Sequence, residues 1–250
     1  MPESRAQQYS HYPAWPAPTP TRLVVLPEHE CQYLPWRAAM FRGFVAEPMT
    51  GELYHQFMDA GFRRSGRFVY QPLCKGCRAC VPIRVPVEQF RASRSQRRCL
   101  ARNDDLQISI AAPAPCEESF AVYQRYMTHW HGQAHLPTPD EFASFLFDSP
   151  VPSLEFRYRN PAGELLAVGI CDLCPRALSS VYFFFDPAHA RRGLGTFGAL
   201  AEIDHAKRLG LTHYYLGYWV GQCPSMSYKA RFRPCQFLRT DGEWRDSDDF

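Results

Sequence analysis

Apolar and polar positions change their period several times along this chain, and each change marks an element. Leu53, Phe57, Met58 and Phe62 recur at helical spacing behind Thr50, whose hydroxyl suits a helix cap. Residues 67–71 and 81–87 read as short strands, and Pro82 and Pro86 push the second toward an edge. Residues 106–111 alternate as a strand, 117–130 and 139–147 carry helical spacing, and 154–159, 164–173 and 178–186 are three strands in succession. A helix over 191–209 follows, with Leu194, Phe197, Leu200, Ala201 and Ile203 on its apolar side. A strand at 212–219 and a short helix at 225–232 complete the pattern. From residue 105 the order is β-α-α-β-β-β-α-β-α, which predicts an α+β fold around a mixed sheet.

That order resembles the GNAT acyltransferase fold, in which the sheet splays near its fourth strand to admit an acyl donor. The expected division is a loose arm over 1–20, rich in Pro, Ser, Gln and Tyr, a basic cysteine-containing module over 21–104, and a GNAT-like domain over 105–250.

Composition narrows the classes. With 250 residues, 46% of them hydrophobic, the chain has enough apolar material for one large core or two smaller ones, which excludes a disordered tail or a small disulfide scaffold. No apolar run approaches the roughly 18 residues of a membrane span. The N-terminal stretch lacks a secretory profile, so a cytoplasmic protein is expected, with no membrane partner. The net charge of +3 hides a segregation: residues 62–102 hold eleven Lys/Arg and a single acid, Glu88. Arginine dominates that stretch, and its planar fork suits phosphates, so a nucleic acid is the leading partner.

Three groups of residues carry candidate chemistry. The segment Asp186-Pro-Ala-His-Ala-Arg-Arg-Gly-Leu-Gly-Thr joins an apolar strand to a helix start, where glycines 193 and 195 and free N–H groups favour an anion. In GNAT enzymes this position holds the coenzyme A pyrophosphate, and Arg192-Gly193-Leu194-Gly195 matches the first half of that loop. Cys74, Cys77 and Cys80 share one turn, and Cys31 is a distant fourth thiol; zinc and an iron–sulfur cluster both suit such a set, as do plain reduced thiols. His129 and His131, flanking Trp130, are the closest histidine pair and read as structural or surface residues.

Five segments together give a family resemblance: Gly61-Phe62-Arg63-Arg64-Ser65-Gly66, CKGCRACVPIR from Cys74 to Arg84, Ser93-Arg94-Ser95-Gln96-Arg97-Arg98, the Asp186 loop, and LGYWVGQCPSMSYKARFRP ending at Pro234. They resemble the bacterial aspartate/glutamate leucyltransferases, relatives of the eukaryotic arginyl-tRNA-protein transferases. The resemblance implies transfer of leucine from leucyl-tRNA to proteins beginning with Asp or Glu, in the N-degron pathway, with no cofactor required for the transfer itself. Arginyl transfer by the same fold, a coenzyme A-dependent N-acetyltransferase and a nonenzymatic metal-containing RNA-binding module remain the alternatives, and the oligomeric state stays open.

Roles follow for individual residues. Backbone N–H groups over Phe184, Phe185 and Asp186 would polarise the ester carbonyl, with Asp186 or a water taking the ammonium proton. Arg191, Arg192, Gly193, Gly195 and Thr196 would hold the terminal phosphate and ribose, while Arg94, Arg97 and Arg98 would grip the tRNA. Tyr182, Phe184 and Tyr218 would line the leucine pocket. Arg63, Arg64, Arg84, Lys229 and Arg231 are candidates for the acceptor carboxylate or the tRNA backbone, and Cys31, Cys74, Cys77 and Cys80 for a metal.

Overall fold

The computed structural model of the chain describes residues 14–131 and 136–247. Residues 1–13 of the expected arm, and the side chains of Trp130 and His131, lie outside the described residues. In chain order the first elements are β1 (Val24–Val25), β2 (His29–Glu30), β3 (Ala38–Ala39), β4 (Phe41–Val45), helix α1 (Gly51–Asp59), β5 (Arg63–Ser65) and β6 (Phe68–Pro72). Four of these strands make an antiparallel sheet in the order β1-β4-β6-β5, and β2 pairs with β3. Then come β7 (Val81–Pro86), α2 (Arg94–Arg102), β8 (Gln107–Ala111), α3 (Glu117–His131), α4 (Pro139–Leu146), β9 (Ser153–Arg159), β10 (Leu165–Cys174) and β11 (Ala177–Phe185). The helix α5 (Leu194–Arg208), β12 (His213–Trp219), a single turn α6 (Pro224–Ser227), β13 (Gln236–Leu238) and β14 (Trp244–Asp246) close the chain.

Eight strands form the main sheet in the order β14-β13-β7-β12-β11-β10-β9-β8. Every pairing is antiparallel except β11 with β12, which are parallel. β7 belongs to this sheet, between β13 and β12, so the strand expected in the N-terminal module is a structural part of the acyltransferase sheet. Its two prolines fall at its second residue and its end, and the strand still pairs on both sides.

Layers cover both faces of the sheet. Leu194, Phe197, Leu200 and Ile203 of α5 pack on one face against Leu166, Leu178 and Tyr214. Gly198 permits this contact, because a Cβ there would collide with the Phe183 ring. On the opposite face, Tyr54, Phe57 and Met58 of α1 pack with Ala177 and Tyr215, while Val122, Tyr123 and Phe142 of α3 and α4 cover Val168, Ile170 and Phe184. Thr50 caps α1 as its position suggested, accepting the Leu53 N–H at 3.2 Å.

Three expectations change. The helix expected from 191 begins at Leu194, because Asp186 and Pro187 start a 3₁₀ turn (Pro187–Arg192) that Gly193 ends at φ +72°, a left-handed conformation favouring glycine. The helix expected over 225–232 is one α turn followed by a 3₁₀ turn, Tyr228–Arg231. The last residues of the expected loose arm are held in place: Trp15 Nε1 donates to Arg239 O at 2.8 Å, and Arg42 Nη2 donates to Trp15 O.

Candidate active site

The parallel pair β11–β12 is joined over only three positions, Ala177 to Ser179 against His213 to Tyr215. Just past that point each strand carries a register shift: β11 between its pairings at Ser180 and Tyr182, and β12 between Tyr215 and Gly217. An extra residue bends a strand and increases its twist, so two bulges at the same level drive the strands apart. A wedge opens beyond the last parallel pairing, Ser179 with Tyr215.

Both arms can be read residue by residue. Asp186 N–H donates to Leu166 O at 2.8 Å, and Leu166 lies in β10. By strand alternation Phe184 also bonds toward β10, while the N–H groups of Phe183 and Phe185 point the other way, into the wedge. On β12, Arg63 Nη2 donates to Gly217 O at 3.2 Å and Lys229 Nζ donates to Tyr218 O at 3.0 Å. Arg63 Nη1 also reaches Ser179 Oγ at 3.1 Å, and its guanidinium lies 5.3 Å from the centre of the Tyr215 ring. Arg63 therefore spans the fork, with one contact on each strand.

These two cations have no counter-charge. Among the described residues no carboxylate lies within 4.0 Å of either, Arg63 is buried, and its Nε has no hydrogen-bond partner. Burial, and next the Arg63 charge, lower the Lys229 pKa to about 7. Two neighbouring positive groups partly removed from water without an anion are costly. A ligand that supplies negative charge would offset that cost.

The other acceptor candidates are occupied. Arg64 makes a buried bidentate pair with Asp172, at 2.8 and 2.6 Å. Arg84 Nη1 donates to Asp59 Oδ1 at 2.8 Å, and its Nε donates to Gln236 Oε1. Arg231 is exposed at the surface. The structure thus separates Arg63 and Lys229 from three residues that share their type but not their surroundings.

Several donor-side expectations also change. Asp186 accepts Arg125 Nε on one oxygen and Ala188 N–H on the other, both near 2.8–2.9 Å, so it caps the 3₁₀ turn and its charge is paired with Arg125. Phe184 is fully buried under α3 and α4. Tyr182 packs against Tyr123 and Phe145, and Tyr218 donates its hydroxyl to Gly61 O at 2.9 Å. Arg192 is forked onto Asp105 at 2.7 and 2.9 Å, which holds the loop instead of leaving the side chain free for a phosphate. Arg191 is exposed, and Gly195 and Thr196 are half-buried at the start of α5, a helix with no side-chain cap.

Helix α2, unforeseen as a helix, connects these parts. Its Ser93 and Gln96 make a capping box, and buried Gln96 donates to Arg231 O on the turn that carries Lys229. Asn103, at its C-terminal end, donates to Arg192 O at 3.0 Å. Arg94, Arg97 and Arg98 are exposed on the same helix, so the arginine-dense segment lies beside the Gly193 loop. The sequence signal for this helix start is Ser93-x-x-Gln96 ahead of buried Cys99.

The cysteine cluster does not fit a metal as arranged. Burial and neighbouring sulfurs push the Cys74 and Cys80 thiols above their ordinary pKa. Cys74 Sγ is engaged by the backbone N–H and O of Met40, and among the described residues no three His, Cys, Asp or Glu side chains converge on one ion position. Cys31, Cys77 and Cys80 are half-buried thiols near it. The distant Cys171 and Cys174 are buried in β10.

A mixed sheet forked between two parallel strands, with donors on one arm, unpaired cations on the other and an arginine helix alongside, defines an acyltransferase suited to a polyanionic donor. Residues 29–98 match the family described as arginine-tRNA-protein transferase, N terminus, and residues 118–239 match its C terminus. The chain is 44% identical over 239 residues to the aspartate/glutamate leucyltransferase of Stenotrophomonas maltophilia, covering 91% of this chain and 94% of that one. It is 43% identical to the aspartate/glutamate leucyltransferase of Chromohalobacter salexigens, over 90% and 92% of the two chains. The ribosomal-protein-S18-alanine N-acetyltransferase from Escherichia coli aligns at 20% identity over 42% of this chain and 63% of that one, with a TM-score of 0.32. The chain belongs to the arginine-tRNA-protein transferase family. Among the described residues no helix is long and apolar enough to cross a membrane.

Proposed function

We propose that this protein is a cytoplasmic aspartate/glutamate leucyltransferase, moving leucine from leucyl-tRNA to the α-amino group of proteins that begin with Asp or Glu. The observation that carries the reading is the pair Arg63 and Lys229, two cations without a carboxylate at the fork of the sheet. An acceptor's acidic side chain supplies the missing charge. Its amine is then held next to the wedge, where the outward N–H of Phe183 can polarise the ester carbonyl.

The chemistry asks little more. An α-amino group with a pKa of about 7.7–8.0 is partly neutral near pH 7.5, and an aminoacyl ester is already activated. The ammonium first gives one proton to water; the neutral amine then attacks the carbonyl, the C–O bond to the ribose breaks, and the second amine proton passes to the ribose oxygen. Positioning and oxyanion stabilisation supply the rate enhancement. Asp186, paired with Arg125 and capping the 3₁₀ turn, is given a positioning role in this scheme.

The test is incorporation of labelled leucine into peptides beginning with Asp, Glu, Asn or Ala, with leucyl-tRNA, arginyl-tRNA or acetyl-CoA as donor. Labelling of the Asp and Glu peptides from leucyl-tRNA is expected. Equal labelling of the Asn peptide would remove the role given to Arg63 and Lys229, and modification by acetyl-CoA alone would overturn the donor assignment.

A further inference from the structure

A cavity of about 160 Å³ lies beneath the cysteine turn, outside the residues placed in the scheme above. Trp15, Pro72, Ala79, Val81 and Leu238 supply most of its wall, Cys74, Cys77 and Cys80 form the roof, and Arg78 is the charged residue among those that line it. We propose that this cavity receives the side chain of the amino acid carried by the tRNA, and that Arg78 makes it select leucine over arginine. The inference rests on the leucyl-transfer reading and names the specificity element of that same site.

Position is the first support. Trp15 packs over Gly61, where an added Cβ would meet its ring at 2.8 Å, and Gly61 O accepts the hydroxyl of Tyr218 on the open arm of β12. Gly61 also lies two residues before Arg63, the residue that bridges the fork. On the other wall, Val81 pairs with Trp219, the last residue of β12. The cavity therefore borders the turn that leads to Arg63 and lies against β7, the strand next to β12.

Size is the second. An apolar protein cavity of about 150 Å³ accommodates benzene, so the space here takes a branched four-carbon side chain with room to spare. The lining chemistry points the same way, since aliphatic and aromatic carbon with soft thiols favours an apolar guest.

Charge is the third, and it separates the two donors that the family name and the relatives' names divide. Arg78 is exposed, and among the described residues no carboxylate pairs with it. An arginyl side chain entering this space would place a second guanidinium beside an unneutralised one. It would also find no carboxylate on the wall to satisfy its donors. Leucine meets neither obstacle. Discrimination by a built-in repulsion is a usual way to gain specificity that apolar contact alone does not supply.

The experiment uses the full chain, one tRNA body charged in turn with leucine, phenylalanine or arginine, and an Asp-starting peptide. Wild type, Arg78→Glu and Ala79→Phe are compared by kcat/KM for each donor and by affinity for the same tRNA uncharged. Arg78→Glu is expected to lower the leucyl-to-arginyl ratio roughly 10-fold, with arginyl transfer rising in absolute terms. Ala79→Phe is expected to reduce leucyl transfer by roughly 10- to 200-fold, the range that one misplaced group costs in an apolar specificity pocket. Uncharged tRNA affinity and the acceptor KM should change less than twofold in the Ala79 variant.

A ratio that moves less than threefold in Arg78→Glu overturns the proposal. So does an Ala79→Phe variant that loses every donor and uncharged tRNA together, which would assign the cavity to the terminal adenosine. Arg78 is an exposed turn residue, so that arm stands even if the Ala79 variant fails to fold, as circular dichroism would reveal. A wild-type protein that transfers nothing from any donor overturns the leucyl-transfer reading and this inference together, an outcome distinct from an active enzyme with an unmoved ratio.

Discussion

Arg63 and Arg64 are neighbours on one short strand, both buried, and their side chains turn in opposite directions with opposite consequences. Arg64 meets Asp172, Ser153 and Gly66 O, so its charge is neutralised and its donors are used. Arg63 meets a hydroxyl, a carbonyl and a ring face, all neutral. A buried charge must be neutralised by a partner, by a proton or by a ligand, and the difference between these two residues separates structure from function. The first way to break that comparison is Arg64→Ala. It strands Asp172 in the core and is expected to destabilise the fold by about 3–5 kcal/mol, measured by denaturant unfolding. A loss below 1 kcal/mol would mean that the pair is not structural.

Glu202 shows the second solution. It is buried between α5 and the sheet, accepts the Tyr214 hydroxyl, and has no cation beside it. Burial raises its pKa from 4.5 to about 7, with hydrogen bonds from Tyr214, Cys171 and Ser180 pulling it partly back. The folded state therefore holds a proton that the unfolded chain releases at lower pH. The stabilisation is full below pH 4.5 and is lost as pH rises toward 7, on the order of 3 kcal/mol in all. Glu202→Gln should abolish that slope in a series of urea melts between pH 4.5 and 7.5, and an unchanged slope would assign the pH dependence elsewhere.

Arg63 has neither a partner nor a proton to lose, which leaves the ligand. Arg63→Gln keeps a donor for Gly217 O while removing the charge, so the fold should persist. Transfer to an Asp-starting peptide should fall roughly 100-fold, or about 2–3 kcal/mol, the worth of a hydrogen bond to a charged group. A milder form of the same test is Lys229→Arg, which retains the charge at all working pH values. Because burial lowers the Lys229 pKa to about 7, the wild-type KM for an acidic acceptor should rise above pH 7 as the ammonium loses its proton, and Lys229→Arg should flatten that rise.

The sequence disclosed this much of the fold because its long elements are strongly patterned. The apolar strands at 164–173 and 178–186 and the helix ending near 209 lie within a few residues of where alternation and helical spacing put them. What escaped was set by partners distant in the chain. β13 has only three residues and is defined by pairing with β7, and the placement of β7 in the main sheet depends on β12. The site divided in the same way. Arg63 and Lys229 could be listed as cations, but their separation from Arg64 and Arg84 depends on Asp172 and Asp59, which no spacing rule connects to them. The bulges that open the wedge are likewise visible only as mismatched registers between strands.

The smallest expected effects lie at the arginines of α2, and they extend the comparison to solvent. Arg94, Arg97 and Arg98 are exposed, where an unpaired charge is hydrated and costs little. Arg97 is partly anchored through Ala92 O. If this face grips the tRNA, each arginine replaced by Gln removes one phosphate contact and lowers the slope of log affinity against log salt by about 0.7–0.9. Stability should be almost unchanged, and discrimination between Asp- and Asn-starting acceptors should be preserved, because α2 reaches the wedge through buried Gln96 and not through these side chains. The informative variant replaces all three at once, followed by tRNA binding from 50 to 300 mM salt. A slope reduced by about 2–3 with the acceptor preference intact would show that holding the donor and reading the acceptor are separate tasks. An unreduced slope would move the polynucleotide contact to another face, while loss of acceptor preference would mean that the exposed arginines and the two cations at the fork act as one electrostatic unit.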